Sequence, residues 1–87
     1  MNSTAKKIKK ETILLSKMLS VNGIDCRFIE DPNFTEIPDF WVEVEKDESY
    51  LEIDVTYNGN YSVLLNSEII DGEFNISELI EFLKNVH

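Results

Sequence analysis

The sequence predicts an α+β fold: an antiparallel sheet of three to four strands with an N-terminal and a C-terminal helix (α-β-β-β-α). Apolar residues recur with a helical period at both ends of the chain and alternate with polar residues in between. Polar segments such as Asn58-Gly59-Asn60 separate the alternating runs and are short enough for hairpins. Because the chain has 87 residues, we expect a single domain spanning residues 1–87.

The first helix is expected to begin at Ser3 or Thr4 and to end near Val21. Asn22-Gly23 follows directly and is a typical signal for the end of a helix. The predicted buried stripe consists of Ala5, Ile8, Thr12, Leu15 and Leu19, widened by Leu14 and Met18. Lys6, Lys7, Lys9, Lys10 and Lys17 lie on the rest of the helix surface, so this helix should present a basic outer surface.

Strands are expected over residues 24–30, 40–45 and 50–57. A three-residue loop, Asn58-Gly59-Asn60, would pair Tyr57 with Tyr61 and turn both toward the core, together with Val63 and Leu65. Asn60 would adopt the left-handed conformation in that loop. Residues 68–70 are expected to add a short strand.

Two further segments complete the predicted fold. Residues 31–38 should form a loop, held against the core by Phe34 and Ile37. For the last helix, Asn75 and Glu78 have the spacing of a capping box. The core-facing residues of this helix are predicted to be Ile76, Leu79, Ile80, Leu83 and Val86, with Phe74 and Leu79 forming a hydrophobic staple.

The charge of the chain is strongly negative and unevenly distributed. The net charge is −9, yet the first twenty residues contain five lysines and one glutamate. Such a field repels nucleic acid and attracts basic surfaces. The lysine-rich helix is expected to dock on the acidic body of the domain or on a second protomer, which would form a homodimer.

Residue types needed for catalysis or metal binding are scarce. His87 is the only histidine and Cys26 the only cysteine, so neither a catalytic triad nor a zinc site is expected. The motif of a PD-(D/E)xK nuclease would need an acid two residues before Lys46, where the chain has Val44. We therefore expect no enzymatic activity, no cofactor and no metal. A single cysteine also fits a reducing cytoplasm.

The predicted element order is also that of double-stranded-RNA-binding domains. Those domains require a basic second helix that faces phosphates. Here the second helix contains Glu78, Glu81 and a single Lys84. No apolar run is long enough to span a membrane. The sequence thus predicts neither direct nucleic-acid binding nor membrane insertion.

One face of the predicted sheet combines aromatic and acidic residues. The expected register pairs Val44 with Leu51 and therefore sets Glu43 opposite Glu52. The outward residues of these two strands, called the acidic face below, are Trp41, Glu43, Glu45, Tyr50, Glu52 and Asp54. An aromatic residue among charges of one sign is typical of a protein interface. Alternatively, the second helix covers this face and buries Trp41.

By size, acidity and element order, the chain resembles small phage-encoded inhibitors such as anti-CRISPR proteins and other DNA mimics. The resemblance includes no shared motif, so it assigns no role to any residue. It implies a non-enzymatic inhibitor, acting in the cytoplasm of a bacterial host, that occupies a basic nucleic-acid-binding surface of another protein. The alternative is an immunity protein or antitoxin that neutralises a basic toxin. A small metal-binding protein or enzyme is a more remote alternative.

Overall fold

A computed structural model describes residues 3–31 and 39–86 and has the predicted α+β fold. The elements are α1 (Ser3–Val21), β1 (Arg27–Asp31), β2 (Asp39–Lys46), β3 (Ser49–Val55), β4 (Tyr61–Leu65), β5 (Glu68–Ile69) and α2 (Ile76–Asn85). The strands form one antiparallel sheet in the order β1-β2-β3-β4-β5. The fold class is confirmed, although the sheet has five strands where the sequence predicted three to four.

Both helices pack on the same face of this sheet. The buried core consists of Leu15 and Leu19 of α1, Val42, Val44, Leu51, Ile53, Tyr61 and Val63 of the strands, and Leu79 and Leu83 of α2. All of the strand residues in this cluster belong to one side of the sheet, since side chains alternate along a strand. The alternative, in which α2 covers the outer face of the sheet and buries Trp41, is therefore wrong, and the acidic face lies opposite both helices.

The end of α1 explains why β1 begins later than predicted. Ile24 donates its backbone N–H to the carbonyl of Leu19, and Gly23, with φ of 79°, donates to Ser20. This bonding pattern is a Schellman motif. The Cys26 thiol donates to the carbonyl of Ser16 at 3.3 Å, so the chain stays close to α1 until the strand begins at Arg27.

The predicted buried stripe of α1 is too wide. Ala5, Thr12, Leu15 and Leu19 are buried, and Ile8 is half-buried, but Leu14 is 42% and Met18 36% exposed. Successive residues of a helix are about 100° apart, which turns Leu14 away from the sheet when Leu15 points into it.

The β3–β4 hairpin differs from the prediction by two residues. Val55, not Tyr57, pairs with Tyr61, and the backbone N–H of Thr56 donates to Asn60. Tyr57 therefore lies in the turn and is 87% exposed. The positive φ occurs at Gly59 rather than at Asn60. A shift of two residues preserves the alternation, so Tyr61 and Val63 are buried as predicted.

The ends of α2 are both fixed by side chains. Asn75 and Glu78 form the predicted capping box. Lys46 is the last residue of β2, one residue beyond the predicted end of that strand, and its Nζ donates to the carbonyls of Leu83 and Lys84 at 3.0 and 2.8 Å. These bonds join β2 to the C-terminal end of α2. The predicted contacts of Phe34 and Ile37 lie outside the described residues.

Candidate protein-binding face

The acidic face is formed by the two central strands of the sheet. The predicted register of β2 and β3 is confirmed, with Glu43 opposite Glu52 and Glu45 opposite Tyr50. A two-residue turn, Asp47-Glu48, fixes this register because it begins directly after Lys46 and ends directly before Ser49. All six predicted residues thus lie on one surface, as alternation along the strands requires.

Among the described residues, Glu43 is the carboxylate of the acidic face whose two oxygens both accept hydrogen bonds from side chains. Its Oε1 accepts a 2.6 Å hydrogen bond from the Tyr50 hydroxyl, and its Oε2 accepts one of 2.6 Å from the Arg27 guanidinium. The side chain of Glu43 is 14% exposed and that of Arg27 70%. Glu43 lies on the outer surface of the sheet, so the Tyr50 and Arg27 side chains, rather than burial in the core, shield it from water. The three side chains join β1, β2 and β3.

The hydrogen bond between Tyr50 and Glu43 shifts the pKa values of both side chains. The Tyr50 hydroxyl lowers the pKa of Glu43 most; partial burial opposes this effect, and Arg27 lowers the pKa further. In return, the hydrogen bond to Glu43 raises the pKa of Tyr50 to about 12, with burial adding to the increase. At neutral pH Glu43 is therefore an anion and Tyr50 a hydrogen-bond donor.

Arg27 was not among the predicted residues of the face. Its outward direction follows from strand alternation, but its partner depends on the pairing of β1 with β2. That pairing sets Arg27 directly opposite Glu43. Since β1 ends at Asp31 and β2 begins at Asp39, the strands are too far apart in the chain for a two-residue loop to fix their register.

Glu52 and Asp54 lack the compensation that Glu43 has. Neither forms an ion pair or hydrogen bond with any described residue, and their charged neighbours are acidic. Burial, followed by Glu43 and Asp39, raises the pKa of Glu52. Burial, followed by Glu52 and Asp39, raises the pKa of Asp54 to about 6. This part of the face holds negative charge that the described residues leave uncompensated.

Trp41 lies beside these carboxylates and is half-buried. It is opposite Ile29 of β1, and continuing the register of β2 and β3 by one pair sets it against Asp54. The buried Nε1 finds no well-formed hydrogen bond among the described residues, although its approach lowers the pKa of both Glu43 and Tyr50. Trp41 does not belong to the buried core cluster.

Glu45 extends the face toward the end of β2. It is exposed and lines a hollow of about 410 Å³ together with Asp25, Cys26, Arg27 and Glu43. Within the part of the chain that the structure describes, Glu45 has neither an ion pair nor a hydrogen bond through its side chain. The hollow is therefore lined by Glu43, which is hydrogen-bonded to Arg27 and Tyr50, and by Glu45, which has no side-chain partner among the described residues.

The chemistry available to this face is the binding of cations and polar donors. In the described ranges, no group of three or more histidine, cysteine, aspartate or glutamate side chains has the geometry to hold a metal ion. None of the described helices is both long and apolar enough to traverse a bilayer.

Comparison of the chain with protein-family models, curated proteins and solved structures finds no match.

Proposed function

We propose that this protein is a non-enzymatic inhibitor that docks its acidic face on a basic, nucleic-acid-binding surface of another protein. The observation that carries the proposal is the uncompensated charge at Glu52 and Asp54 beside the half-buried Trp41. A partner's lysine or arginine side chains would supply the missing positive charge. As part of this proposal, the protein is a phage anti-defence protein of the anti-CRISPR or DNA-mimic class and acts in the bacterial cytoplasm.

The placement of the helices supports this use of the face. Because α1 and α2 both pack on the other side of the sheet, neither obstructs a partner that approaches the acidic face. A two-layer fold of this kind offers a rigid surface, since the strands that carry the carboxylates are hydrogen-bonded on both sides.

Carboxylate spacing on the face also supports competition with nucleic acid. Side chains on one side of a strand repeat every ~6.7 Å, and directly opposed pairs on neighbouring strands lie ~5 Å apart. Phosphates of a nucleic-acid strand likewise repeat at intervals of several ångström. A groove lined with cations for phosphates could therefore accept Glu45, Glu52 and Asp54.

The hydrogen bonds that join Arg27, Glu43 and Tyr50, called the Arg27–Glu43–Tyr50 array, determine which residues of the face are suitable for mutation. A substitution at Glu43 would break two hydrogen bonds and leave Arg27 without its partner. Glu45 and Glu52 make no such bonds with described residues. The double variant Glu45→Lys/Glu52→Lys therefore reverses charge on the face and preserves the array.

The test is inhibition of a purified partner. Tagged protein captures binding proteins from a nuclease-treated bacterial lysate, and the affinity of each purified candidate for nucleic acid is measured with and without the inhibitor. We expect wild-type protein to displace nucleic acid and Glu45→Lys/Glu52→Lys to lose that effect at least ~10-fold. The matched control is Glu68→Lys/Glu81→Lys, which changes the net charge equally at exposed positions away from the face.

Two results would contradict the proposal. One is a partner that binds the protein tightly and retains its full affinity for nucleic acid. The other is a face-reversed variant that folds and inhibits as strongly as the wild type. A captured partner that is a basic toxin without nucleic-acid-binding activity would instead favour the immunity-protein or antitoxin alternative.

A further inference from the structure

The outward side of α1 is a second surface of opposite charge. Lysines and exposed apolar residues share it, and we call this set the helix stripe: Lys6, Lys7, Lys10, Leu14, Lys17, Met18 and Val21. Lys17 lies two residues from both Leu15 and Leu19, which places it about 200° around the helix from each. Since Leu15 and Leu19 are fully buried against the sheet, the helix stripe points away from it.

The described residues leave most of the charge on the helix stripe without an ion-pair partner. Lys9, at the side of α1, pairs with Glu30 at 2.9 Å and lies 6.0 Å from the centre of the Phe40 ring. The other four lysines of α1 form no ion pair with any described residue. The helix stripe also exposes apolar surface, with Val21 87% exposed.

The two charged surfaces lie on opposite sides of the domain. The helices cover the inner side of the sheet, and the acidic face is the outer side. The shorter dimensions of the molecule are 23 Å. Exposed charges are screened beyond ~8 Å at physiological ionic strength, so lysines on one side do not compensate carboxylates on the other.

Charge complementarity identifies the occupant of the helix stripe. A symmetric pairing of two α1 helices would place lysines against lysines. The acidic face, in contrast, offers Glu45 and Glu52 for the lysines, and Trp41 and Tyr50 for the apolar residues. Both surfaces thus combine charge of one sign with partly exposed apolar side chains.

We propose that the helix stripe of one molecule docks on the acidic face of a second copy, in a head-to-tail arrangement. Because the two surfaces lie on opposite sides of the domain, such a contact leaves one of each free and can repeat. The net charge of −9 on every copy opposes this association, so the assemblies should be weak and should depend on protein concentration. A basic partner and α1 of a second copy would then compete for the same face.

The test measures mass without any partner, so its result does not depend on the proposed inhibitory function. The average mass is measured by sedimentation equilibrium between about 10 μM and about 1 mM protein, at about 50 mM and about 500 mM NaCl. At low salt we expect the average mass to rise above the monomer's 10.1 kDa as the protein concentration increases. At high salt we expect the average mass to stay at that of the monomer at every concentration.

Charge exchange supplies the decisive variants. Lys10→Glu/Lys17→Glu and Glu45→Lys/Glu52→Lys should each raise the dissociation constant at least ~10-fold, because each sets like charges against one another. The variant with all four substitutions should recover association, since its surfaces are complementary again and its net charge equals that of the wild type. Lys10→Gln/Lys17→Gln, which only removes charge, repeats the test if a reversed helix folds poorly.

Three outcomes would overturn this inference. The first is a wild-type protein that is monomeric at every concentration. The second is an unchanged dissociation constant in either charge-reversed double variant. The third is a quadruple variant that associates no better than the double variants. Tight binding of a wild-type monomer to a duplex DNA probe, lost in Lys10→Glu/Lys17→Glu, would assign the helix stripe to nucleic acid instead.

Discussion

Asp54 and Glu43 lie on the same face of neighbouring strands, yet the fold shifts their acidities in opposite directions. Glu43 has a hydroxyl and a guanidinium within hydrogen-bonding distance, and these groups stabilise its charged form. Asp54 is half-buried and also has Glu52 and Asp39 nearby, so its charged form is destabilised. The contrast follows first from the Tyr50 hydroxyl and then from Arg27, which lies opposite Glu43 on β1.

The raised pKa of Asp54 predicts that its charge weakens the fold. The folded protein retains this proton up to about pH 6, whereas an ordinary aspartate loses it near pH 3.8. The contribution of Asp54 to stability therefore falls as pH rises from about 4 to about 6, and remains unfavourable above that range. Asp54→Asn should raise the free energy of unfolding by about 1 kcal/mol at pH 7.5, after allowance for solvent screening.

Urea unfolding of wild type and Asp54→Asn at about pH 7.5 and pH 4 measures this effect. The stabilisation should disappear at the lower pH, where the wild-type carboxyl is already protonated. Asp71→Asn, at an exposed position off the face, serves as the control and should have little effect at either pH. Equal stabilisation by Asp54→Asn at both pH values would show that its origin is not the carboxylate charge.

At the scale of elements, Lys46 joins β2 to the C-terminal end of α2. A cation that donates to the last carbonyls of a helix satisfies groups without intrahelical partners and interacts favourably with the helix dipole. Lys46→Met keeps most of the aliphatic chain and removes both bonds. We expect a loss of about 1 kcal/mol in the free energy of unfolding.

Hydrogen exchange can locate this loss. The amides of the last turn of α2 should exchange faster in Lys46→Met, whereas those of β4 should change only with global stability. Lys84→Met is the matched control, because Lys84 is exposed and its side chain contacts no described carboxylate. Equal protection of α2 in Lys46→Met and wild type would contradict the predicted role.

The elements that the sequence predicts best are those with local signals. The helix stop at Asn22-Gly23 and the capping box at Asn75 and Glu78 each depend on residues a few positions apart. The register of β2 with β3 is equally local, because Asp47-Glu48 connects them directly. The acidic face could therefore be predicted from side-chain alternation and one short turn.

Features that the sequence did not predict depend on distant contacts or on ambiguous register. Alternation cannot distinguish Tyr57 from Val55 as the partner of Tyr61, because a shift of two residues leaves the same side chains inward. Lys46 bonds to residues 37 and 38 positions away. The pairing of Arg27 with Glu43 similarly depends on how β1 pairs with β2, and these strands are too far apart in the chain for a two-residue loop to set their register.

At the scale of the whole molecule, a basic helix, α1, and the acidic face lie on opposite sides of the sheet. Among the described ion pairs, Arg27 compensates one carboxylate of the acidic face, Glu43, and Lys9 is the one lysine of α1 with a carboxylate partner. Two ion pairs join described side chains in a chain with 17 acidic residues. Repulsion within each side therefore outweighs attraction between them, because the sides are separated by more than the screening length.

This charge distribution predicts that salt stabilises the fold and weakens its association. Raising NaCl from about 20 mM to about 500 mM shortens the screening length from ~20 Å to ~4 Å, which reduces repulsion among the unpaired carboxylates. The melting temperature should therefore rise, by an amount that corresponds to about 1 kcal/mol or less. Glu45→Lys/Glu52→Lys should respond less, since Glu52→Lys places a cation near Glu43 and Asp54. Glu68→Lys/Glu81→Lys has the same net charge and should retain most of the wild-type response. Equal salt responses in the two variants would mean that the repulsion reflects net charge and is not concentrated on the acidic face.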